Sequence, residues 1–170
     1  MFMSNVDYEY TELERLLSQE KWKEADEETA RCMLQVAERE QEGWLKVEDI
    51  ERFPCTDLRT IDQLWVQYSN GKFGFSVQKT IYHNLGGTRE YNGEVYEAFN
   101  NEVGWCPEGQ LLLYSDLDFS LDEHYMGYLP GCALKVDVWY VKLGWLSDGV
   151  FSRGWYLVSS LSERLLDYNI

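Results

Sequence analysis

The chain has 170 residues, 45% of them apolar and 15% aromatic, and its 15 Lys and Arg against 30 Asp and Glu give a formal charge of −15. This length suits one domain with a real core, and the apolar content excludes a disordered chain despite the acidity. The charge opposes nucleic acid and anionic lipid, so any anionic ligand must be held by a few locally placed cations.

After a short tail (residues 1–7), Tyr8 to Glu20 sets Tyr10, Leu13, Leu16 and Leu17 on one helical side. A second helix from Trp22 carries Trp22, Ala25, Thr29, Met33, Val36 and Ala37 along one stripe, and the pair reads as an αα-hairpin serving as scaffold. EREQEG follows, then Trp44-Leu45, Val47 and Ile50 among charges, before Phe53-Pro54 blocks continuation. This is a loop with one short helical turn, and its apolar side chains either fold under the domain or form the lip of a pocket.

Pro54 to Gln78 places Leu58, Ile61, Leu64 and Trp65 on one helical face, with Thr56 or Asp57 available as cap. Gly71 can end that helix in the left-handed conformation, Phe73 and Phe75 alternate, and Ser76 offers the next cap. Val77, Ile81 and Leu85 predict the buried face of a helix ended by Gly86-Gly87, and Val95, Tyr96, Phe99 and Val103 predict another over Tyr91 to Val103. Between Gln110 and Leu121, LLLY and LDFSL read as strands of a small hairpin or as an extended loop, and YMGYLP is a turn.

Gly131 to Tyr156 then carries Trp139, Tyr140, Trp145, Phe151, Trp155 and Tyr156 with Lys135, Lys142 and Arg153 interspersed. It is either a core strand or helix with snorkelling lysines or a flap that stacks on a flat ligand and pairs its anionic groups. Leu157, Leu161 and Leu165 define a final packing helix.

Chemistry-bearing motifs are absent from the sequence. His83 and His124 stand in no metal or triad spacing, the glycine segments lack the lysine of a phosphate loop, and Cys32, Cys55, Cys106 and Cys132 form no CxxC pair. Reduced, mostly buried thiols are expected. MFMSNVDYEY has no secretory pattern and no apolar run is long enough to cross a bilayer, so a soluble, intracellular, non-catalytic binding module is expected.

FPCTDLRTIDQLWVQYSNGKFGFSVQ, preceded by WKEADEETARCML and EGWLKVEDI and followed by Gly104-Trp105 and Gly127-Tyr128-Leu129-Pro130, closely resembles the genomes-uncoupled-four family of tetrapyrrole-binding proteins. The family pattern has GHLP where this chain has GYLP. The resemblance implies an all-α fold, a single helical domain over residues 8–170 shaped like a cupped hand. Two loops form the mouth of its cleft, one after the second helix and one near the C-terminus that carries arginines.

The resemblance further implies an accessory protein, not a catalyst. It would bind porphyrins such as protoporphyrin IX and Mg-protoporphyrin IX, stimulate magnesium chelatase through its catalytic subunit, and regulate or protect chlorophyll-pathway intermediates. The implied ligand-binding residues are Trp44, Val47, Ile50 and Phe53 from the first loop, and Trp139, Tyr140, Lys142, Trp145, Phe151 and Arg153 from the second. Phe73, Phe75 and Leu129 complete the set, the two phenylalanines as palm or supporting core. Lys142 and Arg153 would meet the two propionates. No covalent cofactor, no metal ligand and no nucleic acid partner are expected.

Because the chain starts directly at the domain, a stand-alone cyanobacterial member is expected, monomeric, cytoplasmic, and peripheral at thylakoid membranes if membrane-associated at all. Two other readings stay open. One is a divergent paralogue that senses or carries a bilin or other tetrapyrrole without acting on chelatase, and the other is an acidic protein-interaction module with a vestigial pocket.

Overall fold

The computed structural model describes residues 8–90, 92–110, 112–120, 125–132 and 151–167, with the backbone alone for 151–157 and 167. Its helices are α1 (Thr11–Ser18), α2 (Trp22–Val36), α3 (Val47–Glu51), α4 (Cys55–Tyr68), α5 (Phe75–Asn84), α6 (Gly93–Glu102) and α7 (Phe151–Asp167). Single 3-10 turns stand at Pro107–Gly109 and Tyr114–Asp116. Among the described residues there is no strand, so the fold is all-α as expected.

The expected hairpin of α1 and α2 forms. Tyr10, Leu13, Leu16 and Leu17 are all buried, and Lys21 N–H closes the end of α1 by donating to Leu16 O at 3.0 Å. α1 also packs on α4, the central element of the core. The whole apolar face of α4, Leu58, Ile61, Leu64 and Trp65, is 0% exposed, as the spacing predicted. Trp65, Trp22 and Phe73 form an aromatic cluster with ring centroids 5.8 to 6.4 Å apart. The Trp65 indole N–H donates to Thr29 Oγ1 at 2.9 Å, and that hydroxyl donates in turn to Ala25 O at 2.8 Å.

Neither expected cap operates. Pro54 precedes α4, and Asp57 is fully buried because its Oδ1 accepts the Tyr10 phenol at 2.7 Å. A partner 47 residues away thus takes a carboxylate that would otherwise have capped its own helix. At the other end of α4, both Asn70 and Gly71 take positive φ, 56° and 79°, and Gly71 N–H reaches Val66 O at 2.8 Å. α5 begins at Phe75 rather than after a Ser76 cap, since Ser76 N–H is satisfied at 2.7 Å by Asp62 Oδ1 reaching across from α4. The close approach of the two helices requires glycine at Gly74, whose φ is 136° and where a Cβ would lie 2.8 Å from Val66 Cγ2.

The buried face of α5 is Phe75, Gln78 and Tyr82, not Val77, Ile81 and Leu85, which are half-buried. Polar atoms are tolerated there because each has a partner. The Gln78 amide donates to Gly127 O at 2.9 Å and Pro130 O at 3.0 Å, and the Tyr82 hydroxyl donates to Thr88 O at 2.8 Å. α6 starts two residues later than its apolar spacing predicted, at an Asn92 cap whose Oδ1 accepts from Glu94 and Val95 N–H. The strands allowed for LLLY and LDFSL are corrected. Leu112 N–H goes to Trp105 O at 2.8 Å, the chain then makes the Tyr114–Asp116 turn, and Asp118 N–H goes to the Tyr128 hydroxyl, so no neighbouring strand is needed.

α7 packs against α3, α5 and α4, burying Val158, Leu161 and Leu165. Arg164 on α7 donates two hydrogen bonds to Phe53 O, tying the helix to the end of the 38–53 loop. All four cysteines are free, with Cys32, Cys106 and Cys132 buried and Cys55 half-buried. Burial pushes the Cys32 thiol up to about 12. No described helix is long and apolar enough to cross a membrane.

Candidate ligand-binding cavity

A cavity of about 730 Å³ opens between α2, the 38–53 loop, residues 113–119 with Cys132, and α7. One wall is α2, which presents Lys23, Glu27, Ala30, Arg31 and Leu34 along successive turns beside the stripe that faces the core. This helix therefore has two faces, one packed in the core and one along the cavity, where the sequence predicts scaffold alone. Trp44, Leu45 and Ile50 from the loop and α3 line it as well, with Phe75 and Gln78 of α5. Leu113, Tyr114, Leu117, Phe119 and Cys132 add a third side, and Val158 and Leu161 of α7 a fourth.

The third side is pinned to α2 from beneath. Asp26, 0% exposed, accepts the Tyr114 phenol through Oδ2 at 2.7 Å and Gly131 N–H through Oδ1 at 2.6 Å. Burial, followed by the adjacent Asp26 charge, raises the Tyr114 pKa, so this phenol stays a neutral donor. A buried carboxylate that is not part of the lining thus holds in place an aromatic side chain that is.

Charge pairs organise the loop edge. Arg39 Nη1 pairs with Glu42 at 2.9 Å, and its Nε lies 3.2 Å from Asp49 Oδ2 without the alignment of a hydrogen bond. Asp49 Oδ2 also accepts Lys46 N–H at 2.8 Å at the start of α3. The Trp44 ring lies 5.5 Å from the Arg39 guanidinium carbon and 5.8 Å from Lys46 Nζ, both within cation–π range.

Of the residues expected at a site, Trp44, Ile50 and Phe75 meet at this cavity. Val47 opens α3, half-buried, and is not among the described lining residues. Phe53, Phe73 and Leu129 belong to the core at 1%, 0% and 0% exposure, enclosed by neighbouring helices and turns. Trp139, Tyr140, Lys142 and Trp145 lie outside the described residues. So do the side chains of Phe151 and Arg153, whose backbone forms the start of α7. Neither the α2 wall nor the 113–119 side stands out in the sequence as part of a site. The available signal on α2 was Ala30 and Leu34, two apolar residues interrupting an otherwise polar face.

Chemically the cavity offers wide apolar and aromatic walls, with Lys23, Glu27 and Arg31 as its charged lining among the described residues. No cluster of three His, Cys, Asp or Glu able to hold a metal occurs among the described residues. Such a site suits retention of a flat, largely apolar molecule with a few polar substituents.

The family model described as GUN4-like matches residues 3–150. An uncharacterized protein ycf53 of Porphyra purpurea is 38% identical over 104 residues, covering 60% of this chain and 41% of its own length. A Ycf53-like protein of Synechocystis is 32% identical over 124 residues, covering 64% and 52%. The chloroplastic tetrapyrrole-binding protein of Arabidopsis thaliana is 35% identical over 72 residues, covering 41% and 27%. The chain spans about half, or less, of the length of the curated relatives it matches.

Two solved structures share the fold. GUN4 from Chlamydomonas reinhardtii superposes with a TM-score of 0.72 at 24% identity, covering 96% of this chain and 92% of that one. Ligand-free Arabidopsis thaliana GUN4 superposes with a TM-score of 0.66 at 22% identity, covering 90% and 94%. With its family match running over most of its length, the chain belongs to the GUN4-like family.

Proposed function

We propose that this protein binds a cyclic tetrapyrrole, protoporphyrin IX or its magnesium form, in the cavity between α2 and the 38–53 loop. There it acts as a carrier and regulator rather than as a catalyst. The observation that carries this reading is the cavity itself. Its volume of about 730 Å³ falls within the roughly 300–1,000 Å³ of small-molecule sites, and its lining is aromatic and aliphatic with cations at one wall. Family membership and the name of the Arabidopsis relative support the ligand class.

Burial of the macrocycle against Trp44, Ile50, Leu117 and Phe119 supplies the apolar contribution, at roughly 25 cal/mol per Å² removed from water. Propionates pair with cations, for which Lys142 and Arg153 remain candidates beside Lys23 and Arg31 of α2. The ligand is then presented to the catalytic subunit of magnesium chelatase, at or beside photosynthetic membranes, and shielded from light-driven side reactions. Titration with protoporphyrin IX and Mg-protoporphyrin IX, followed by tryptophan quenching, tests the binding step. Absence of saturable quenching with either pigment removes the proposal, and saturable binding of a bilin alone moves it to a linear tetrapyrrole. Chelatase assays with and without the protein test the second step, and an unchanged rate confines the role to carriage.

A further inference from the structure

Trp44 is a large aromatic side chain on a loop, where stacking on a ligand ordinarily carries the entropy cost of immobilising both the ring and the backbone beneath it. Its neighbour Arg39 is unusual for an arginine beyond the end of a helix. The side chain is only 16% exposed, yet it touches three separate parts of the loop. It pairs with Glu42 in the turn, approaches Asp49 in the first turn of α3, and sets its guanidinium 5.5 Å from the Trp44 ring. Its backbone is fixed as well, its N–H donating to Leu34 O at 2.8 Å and its carbonyl accepting from Gly43 N–H at 3.0 Å. Leu34 and Gly43 both line the cavity.

We propose that Arg39 is a positioning residue that presets Trp44 for ligand stacking, holding the cavity lip in its binding conformation before the ligand arrives. The inference rests on the cavity being the tetrapyrrole site. Lys46 also stands near the ring, but it is exposed and no ion pair fixes its ammonium group among the described residues, so it contributes charge without the same restraint. Lysine in place of Arg39 keeps a cation yet cannot engage Glu42, Asp49 and the ring together, because it lacks the planar fork.

A double-mutant cycle read by protoporphyrin IX affinity tests this. Arg39→Met keeps an apolar stem, and it should weaken binding about two- to tenfold, the range expected for one newly mobile side chain. Arg39→Lys should fall between, and Lys46→Met should cost less than Arg39→Met. In a Trp44→Leu background, Arg39→Met should change affinity by less than about twofold, since a residue acting through Trp44 has nothing left to position. In the free protein labelled with 5-fluorotryptophan, the resonance assigned by its loss in Trp44→Leu should broaden or shift in Arg39→Met.

Wild-type affinity in Arg39→Met overturns the proposal and leaves the tetrapyrrole reading intact. An equal loss in both backgrounds also overturns it, because Arg39 would then act on the ligand or on the fold. Absence of saturable protoporphyrin IX binding by the wild-type chain overturns the tetrapyrrole reading, and this inference with it.

Discussion

Trp65 and Trp44 stand in two regions held together by different forces. Trp65 is fully enclosed, its ring against Trp22 and Phe73 and its N–H on Thr29, a buried hydroxyl that is itself satisfied. Trp44 is half-exposed at a cavity edge, beside two cations and a set of carboxylates. Burial organises the first region and is little affected by salt, whereas charge organises the second and can be screened. The core around α4 thus gives a rigid frame, while the cavity edge is tuned by interactions that can change without loss of the fold.

The comparison breaks most visibly at Trp65. Trp65→Ala should lower unfolding free energy by about 3–5 kcal/mol through cavity creation and loss of the Thr29 partner, measured by urea denaturation. A loss below about 1 kcal/mol would mean the core repacks and is not the rigid frame described.

Asp26→Asn comes next and lies on the border between the regions. The amide can accept from only one of Tyr114 and Gly131; with Oδ1 on Gly131 N–H its Nδ2–H donates to the Tyr114 oxygen instead, so both bonds lose the charge that strengthens them. An expected cost of about 1.5–3 kcal/mol should accompany weaker porphyrin binding, since Tyr114 lines the cavity. Unchanged affinity at full folding would separate the cavity wall from its anchor.

A pH series sharpens the core side. Burial raises the Asp62 pKa above 3.8, outweighing the Ser76 N–H bond that lowers it. The folded state therefore binds its proton at higher pH than the unfolded chain, and stability rises from this group as pH falls from the raised value toward 3.8. The stability difference between wild type and Asp62→Asn should shift in favour of wild type over that window, measured by denaturation at stepped pH. A flat difference would show that Asp62 is not desolvated. The smallest effect belongs to Arg15→Ala, which removes a solvent-exposed pair with Glu12 on α1 and should leave both the unfolding midpoint and porphyrin affinity unchanged.

Helices with strict apolar spacing were legible because one buried stripe determines them, as with Leu58, Ile61, Leu64 and Trp65. Their starts were not, since Asp57 and Asp62 spend their carboxylates on Tyr10 and Ser76, partners that only the tertiary structure brings near. Gln78 and Tyr82 were missed for a similar reason, because polar residues look exposed until their acceptors are known. Trp44 and Ile50 were legible as an excess of apolar side chains in a loop. The α2 wall was not, for an amphipathic pattern identifies an apolar face without telling whether its margin meets the core or a cavity.

The carboxamide of Gln78 has a consequence for the chemical ageing of the protein. Hydrolysis of that amide to Glu replaces one nitrogen by oxygen and turns two donated hydrogen bonds, to Gly127 O and Pro130 O, into repulsion between a carboxylate and two carbonyls. The 127–130 turn would lose its side-chain hold on α5 and keep the backbone bonds of Gly74 N–H to Leu129 O and of Gly127 N–H to Lys72 O, through a change of about one mass unit, almost silent in composition. Gln78 is 6% exposed, so the water needed for that hydrolysis has little access to it while the chain stays folded. Deamidation at this position would therefore record time spent open, and its level in an old preparation would count past openings of the turn.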